Sequence, residues 1–107
     1  GIAAIEMIER DNLLENAKRL SSYFKRRFDE FAAKCDLVEE VRAAGLMIGI
    51  ELAVEGGPIV KKCMERNLLV NCTHGTVIRL LPPMILTEDE ARQGCDILID
   101  VIEKQVE

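Results

Sequence analysis

Arg79 lies in the run Val77-Ile78-Arg79-Leu80-Leu81, with apolar side chains on both sides. Along an extended strand side chains alternate faces, so Val77, Arg79 and Leu81 form one set and Ile78 and Leu80 the other. A guanidinium between apolar neighbours either snorkels to water beside a local acid or meets an anion on a partly covered face. Its planar fork matches a carboxylate with two parallel hydrogen bonds, which lysine does not reproduce. Spacing alone leaves two readings open: an edge-strand arginine paired with a nearby acid, and a receptor for the carboxylate of a small molecule. Pro82-Pro83 ends the strand, since proline cannot donate to a ladder, and would hold its end rigid.

Other reactive residue types give weaker signals. Thr73-His74-Gly75 reads as a turn, and its hydroxyl and backbone N–H groups make a minor candidate for holding an anion or a partner chain. A lone histidine in a turn is more often structural than catalytic. Arg42, after Glu39-Glu40-Val41, reads as a structural ion-pair residue. Cys35, Cys63, Cys72 and Cys95 form no C-x-x-C pair, and with His74 as the single histidine no zinc-ligand spacing exists. They read as buried or half-buried thiols of a reducing compartment. A Cys72–His74 nucleophile pair lacks a third group to orient the base. Lys18, Lys25, Lys34, Lys61, Lys62 and Lys104 fall on polar helix faces or ends, where nothing desolvates an amine. No catalytic, cofactor-binding or metal-binding residue is expected within the chain.

The elements that would position these groups follow from periodicity. Residues 2–9 read as a short helical stretch, with Ile5 and Ile8 on one side, interrupted by Arg10-Asp11-Asn12. Asn12 and Glu15 have capping-box spacing. Leu13, Ala17, Leu20, Phe24, Phe28 and Phe31 then form one apolar stripe of a helix running to about Lys34. Lys18, Arg19, Lys25, Arg26 and Arg27 form its solvated face. Leu37 to Arg42 reads as a strand, with a bend at Ala44-Gly45. Leu46, Ile48, Ile50 and Leu52 alternate with Met47, Gly49, Glu51 and Ala53, a second strand. Gly49 within it marks a bulge or a place where another segment comes near.

Gly56-Gly57-Pro58 opens a short helix with Ile59, Val60, Cys63 and Met64 on its apolar side, and Asn67 is a left-handed stop. Strands are expected at Leu68 to Cys72 and Thr76 to Leu81. Thr87-Glu88-Asp89-Glu90 carries a capping box and three acids at the positive end of a helix dipole. Ala91, Cys95, Leu98 and Ile102 continue that helix to about Val106. The order predicts an α+β fold: a small, mostly antiparallel sheet with helices packed on one face.

With 107 residues, 49% of them hydrophobic and 31% charged, the chain suits one folded domain. A net charge of −5 argues against a footprint for nucleic acid or an anionic membrane. No apolar run approaches the roughly 20 residues of a membrane span, and no signal-peptide pattern is visible. Gly1 enters helical composition without a capping residue, so a fragment of a longer chain is expected.

Three segments together carry a resemblance. Val41-Arg42-Ala43-Ala44-Gly45-Leu46-Met47-Ile48-Gly49-Ile50-Glu51-Leu52 resembles the VRGxGLMxGIEL segment of the class III, pyridoxal-phosphate-dependent aminotransferases. Leu68-Leu69-Val70-Asn71-Cys72-Thr73 is similar to their GLLVNxT segment, and Val77 to Glu88 to their VIRLLPPLxxTEEE segment. Order and spacing agree over nearly the whole chain, with the acetylornithine-type members most alike and the ornithine-type next. Ala43 and Asn67 stand where glycines are usual, which puts local turn detail in doubt.

The resemblance implies that residues 1–107 are the C-terminal small domain of a fold-type I enzyme, with 1–11 the tail of an inter-domain helix. The large domain, with the cofactor-binding lysine and the acid facing the pyridine nitrogen, would lie upstream. It implies a cytoplasmic homodimer that moves an amino group from N-acetylornithine to 2-oxoglutarate in arginine biosynthesis. Pyridoxal 5'-phosphate would serve the full-length enzyme and is not expected on this chain alone. Arg79 matches the family's small-domain arginine for a substrate carboxylate. The alternatives are another ω-aminotransferase of the class (ornithine, succinylornithine or 4-aminobutyrate), a self-standing carboxylate-binding module, and an interaction domain without a ligand. Neither nucleic acid nor membrane is an expected partner.

Overall fold

The structure, a computed structural model, describes residues 10–105. Helix α1 (Arg10–Ala32) buries Leu20, Phe24, Phe28 and Phe31, the later members of the apolar stripe. Arg10, Asp11 and Asn12 are all helical, so the expected interruption there and the Asn12 cap are corrected. A helix interior disfavours Asp and Asn by only a few tenths of a kcal/mol each, less than burial of the continuing stripe returns. The stretch 2–9, read as a separate helix, lies outside the described residues, as does nearly all of the 1–11 tail.

Strands β1 (Val38–Ala44) and β2 (Met47–Leu52) form an antiparallel hairpin closed by Gly45, at φ 60°, and Leu46. Its one irregularity falls between Val38 and Glu40. Gly49 pairs regularly on both sides, so it marks no bulge. Helix α2 (Gly57–Glu65) has Pro58 in its first turn and buries Ile59 and Cys63. Met64, expected on the apolar side, is 58% exposed. Asn67 takes φ 65° and ends the helix. Leu68 N–H donates to Cys63 O at 2.8 Å and Asn67 N–H to Met64 O at 3.0 Å, a Schellman closure.

That closure uses Leu68, so the next strand is shorter than expected. Strand β3 is Asn71–Thr73 and β4 is Val77–Leu80. Helix α3 (Glu88–Lys104) begins with the expected box: Glu90 N–H donates to Thr87 Oγ1 at 3.1 Å, and Thr87 N–H to Glu90 Oε1 at 3.0 Å.

The four strands form an antiparallel sheet in the order β1-β2-β4-β3. Ile48, Ile50, Leu52, Ile78 and Leu80 are buried on one face with the helices' Phe28, Ile59, Cys63, Ala91, Cys95, Leu98 and Ile102. Each fully buried aliphatic side chain contributes about 1.5–3 kcal/mol. Arg66 on the α2 end and Asp100 of α3 form an ion pair at 2.6 Å over this layer. The α+β expectation, with helices on one face of a small antiparallel sheet, holds. The opposite face carries the reactive side chains.

Candidate functional site

Strand register, not sequence proximity, assembles the helix-free face. Arg42 lies opposite Gly49, Gly49 opposite Arg79, and Arg79 opposite Asn71, one row across all four strands. The adjacent row holds Glu51, Val77 and Thr73. A concavity of about 390 Å³ opens over these rows, bordered by Arg42, Met47, Gly49, Thr73, His74 and Arg79.

Arg79 is exposed and has no ion pair among the described residues. Its one side-chain hydrogen bond among the described residues is Nη2 donating to Met47 Sδ at 3.3 Å, a weak acceptor. The edge-strand reading is corrected: β4 lies between β2 and β3, and no acid among the described residues holds the guanidinium. The fork therefore faces the concavity's border with most of its donors unengaged.

Arg42 is an ion-pair residue as expected. Its Nη1 contacts Glu40 Oε2 at 3.2 Å and its Nη2 contacts Glu51 Oε2 at 3.4 Å. Both distances exceed the roughly 2.7–2.9 Å of a close charge-assisted bond, and the side chain is 55% exposed.

The Thr73-His74-Gly75 turn closes the β3–β4 hairpin, with left-handed backbone at His74 (φ 53°) and Gly75 (φ 78°). Thr73 and His74 border the concavity with Arg79. Gly75 does not. A Cβ there would stand 3.2 Å from Glu55 Oε2, and its carbonyl accepts from Gly56 N–H at 2.8 Å, so its part is to tie the turn to the β2–α2 loop.

Cys35, Cys63 and Cys95 are buried free thiols and Cys72 is half-buried. Burial pushes the Cys63 thiol up to about 11 and that of Cys95 up to about 12, so neither is a nucleophile at neutral pH. Cys72 pairs with the inward-facing Ile78. Its Sγ would lie 2.7 Å from a Cβ at Gly56, so it points away from the face that carries Thr73. Among the described residues no group of three or more His, Cys, Asp or Glu could hold a metal ion. None of their helices is long and apolar enough to cross a membrane. Lys18, Lys25, Lys61, Lys62 and Lys104 lie on the helices and Lys34 just beyond α1; no lysine borders the concavity.

The "Aminotransferase class-III" family model matches residues 1–102. The chain belongs to the class III aminotransferases. This class III chain is 40% identical over 101 residues to the acetylornithine aminotransferase of Methanothermobacter thermautotrophicus, covering 94% of the chain and 26% of that relative. Its fold matches the acetylornithine aminotransferase of Elizabethkingia anophelis with a TM-score of 0.82 and 28% identity, covering 96% of the chain and 28% of that structure. It also matches an ornithine aminotransferase of Toxoplasma gondii with a TM-score of 0.81 and 25% identity, over 97% of the chain and 26% of that structure. That structure was crystallised in the presence of oxidised glutathione and has partial occupancy of PLP at its active site. The chain spans about a quarter of the length of the curated relatives it matches.

Sequence reasoning missed Gly49 and Asn71 as companions of Arg79. Each stands in the Arg79 row only through strand order, which periodicity does not encode.

Proposed function

We propose that this chain is the substrate-facing small domain of an acetylornithine-type aminotransferase, residues 1–107 forming that domain, and that Arg79 binds the carboxylate of the substrate. The observation that carries the reading is an arginine fork without an acid partner among the described residues, on a central strand, at the border of a concavity on the helix-free face. Family membership and the similarity to acetylornithine aminotransferases support the reaction class: transfer of the amino group of N-acetylornithine to 2-oxoglutarate, a step of arginine biosynthesis. The enzyme would be a cytoplasmic homodimer with its active sites at the subunit interface.

Pyridoxal phosphate does not find a complete site among the residues described. The concavity offers two guanidinium groups, a hydroxyl and an imidazole, but no lysine amine to anchor the cofactor. The anchoring lysine and the acid facing the pyridine nitrogen would come from the large domain. This chain's own share is binding and orientation. Two parallel N–H donors of Arg79 would fix the plane of a guest carboxylate and so the direction of the carbon attached to it. Closure of the remaining enzyme over the face would exclude water and strengthen that pair.

The test is made in the full-length enzyme. Arg79→Ala should lower kcat/KM roughly 30-fold to several-thousand-fold, the range for truncating one partner of a buried charge pair. Arg79→Lys should recover little, since it keeps the charge and loses the fork. A change under about threefold, the scale of an exposed ion pair, removes Arg79 from the site. Ornithine is the second donor to test, since ornithine aminotransferases share this small-domain fold, and assays with both amines decide between them.

A further inference from the structure

A glycine in the middle of a central strand weakens it, because it adds backbone entropy and packs nothing. Gly49 is such a glycine, in β2, between β1 and β4. Two reasons usually explain one, and neither holds here. Its backbone does not require it: the positive-φ glycines are Gly45 and Gly75, and Gly49 pairs regularly with Arg42 on one side and Arg79 on the other. Packing within the chain does not require it either. A Cβ at Gly49 would meet only Val77 Cγ1, at 3.9 Å, an ordinary van der Waals contact. Gly56 shows the contrast: a Cβ there would lie 2.7 Å from Cys72 Sγ and 2.9 Å from Ile78 Cδ1.

A side chain at position 49 would project into open space on the helix-free face. It would stand between the stems of Arg42 and Arg79, about 5 Å from each in a regular antiparallel sheet. That space is the concavity itself. We infer that Gly49 is the floor of the substrate cleft: the side chain missing there is the room taken by the carbon skeleton of the guest whose carboxylate Arg79 grips. The inference rests on the proposed role of Arg79 and adds a specificity-determining residue to it.

The surroundings favour a small acid over a protein segment as occupant. The guanidinium fork beside Gly49 pairs with no carboxylate among the described residues, Thr73 and His74 add polar groups at the border, and about 390 Å³ suits a small metabolite. Residue 49 then acts as a size filter. Alanine would shave the clearance, and valine would fill it with two methyl groups that nothing in the chain opposes closely.

The experiment compares Gly49→Ala, Gly49→Val and Arg79→Ala in the full-length, cofactor-loaded enzyme. KM and kcat for 2-oxoglutarate are measured beside the thermal midpoint. The expected result for Gly49→Val is a KM raised about tenfold or more, the scale on which a misplaced methyl group discriminates in a pocket, with a smaller change in kcat. The midpoint should hold or rise, because valine suits a strand better than glycine. Gly49→Ala should fall between. An unchanged KM in Gly49→Val, with KM raised in Arg79→Ala, overturns the floor and leaves the carboxylate reading standing. Unchanged KM in both overturns both. A lowered midpoint in Gly49→Ala with KM unchanged also overturns the floor, and points to another protein segment packed on it. Should the valine variant fail to fold, the alanine variant decides by the same two readouts.

Discussion

Gly56 stands at the start of α2 with φ −86° and ψ −13°, a backbone that alanine adopts freely, so only its neighbours forbid a side chain. Cys72 Sγ and Ile78 Cδ1 lie inside the space of a Cβ, and Ile78 has no solvent exposure into which it could swing. Gly56→Ala should therefore cost about 1–3 kcal/mol, the usual range for an overpacked core, read as a lower denaturant midpoint. Adding Cys72→Ala removes the nearer obstacle and should return part of that loss, which a double-mutant cycle measures directly. The same contrast explains what was legible at single positions. The alternation around Arg79 and the left-handed stop at Asn67 depend on adjacent residues and could be read. Gly56 answers to atoms of Cys72 and Ile78, and Gly49 comes beside Arg79 only through strand order, and no local pattern announces such neighbours.

The loop after β4 is held from the far end of the chain. The Asn16 carboxamide on α1 donates to Met84 O and, at 3.3 Å, to Leu86 O. One side chain thus satisfies two carbonyls of the segment that follows Pro82-Pro83. Asn16→Ala removes both donors and should lower unfolding stability by about 1–3 kcal/mol, at roughly 0.5–1.5 per hydrogen bond, with faster amide exchange across residues 84–87 as the local readout. Asn16→Asp should do no better, since an ionised carboxylate cannot donate. Helices α1 and α3 were legible because their stripes recur every three or four residues, and the Thr87–Glu90 box opens α3 where its spacing placed it. The similar Asn12–Glu15 spacing opens nothing, because α1 already runs through it. A capping box is decided by how the chain arrives, which its own residues do not record. Strand ends were less legible: Leu68 closes α2 before β3 can begin, so three residues pair where five alternate.

At the scale of the molecule, the three helices of the described residues crowd one side of the sheet, and the thiols of α2 and α3 are both buried in that layer. An unfolded cysteine ionises near 9.0, whereas burial holds Cys63 up to about 11 and Cys95 up to about 12. Above pH 9 the unfolded chain therefore binds fewer protons than the folded one, and stability falls as pH rises. The loss should begin near pH 9 and continue until the buried thiols themselves ionise. Denaturation midpoints from pH 8 to 11 check this, and Cys63→Ala or Cys95→Ala should flatten the decline while lowering its starting level through the cavity left behind. Layer order and charge balance could be read from composition and period, whereas the row that joins Arg42, Gly49 and Arg79 required the strand order itself. Those sealed sulfurs also make the molecule its own clock. A thiol-alkylating label at neutral pH should mark Cys72 first and reach Cys63 or Cys95 only during transient openings. The order in which the two tags accumulate reports which helix peels away earlier.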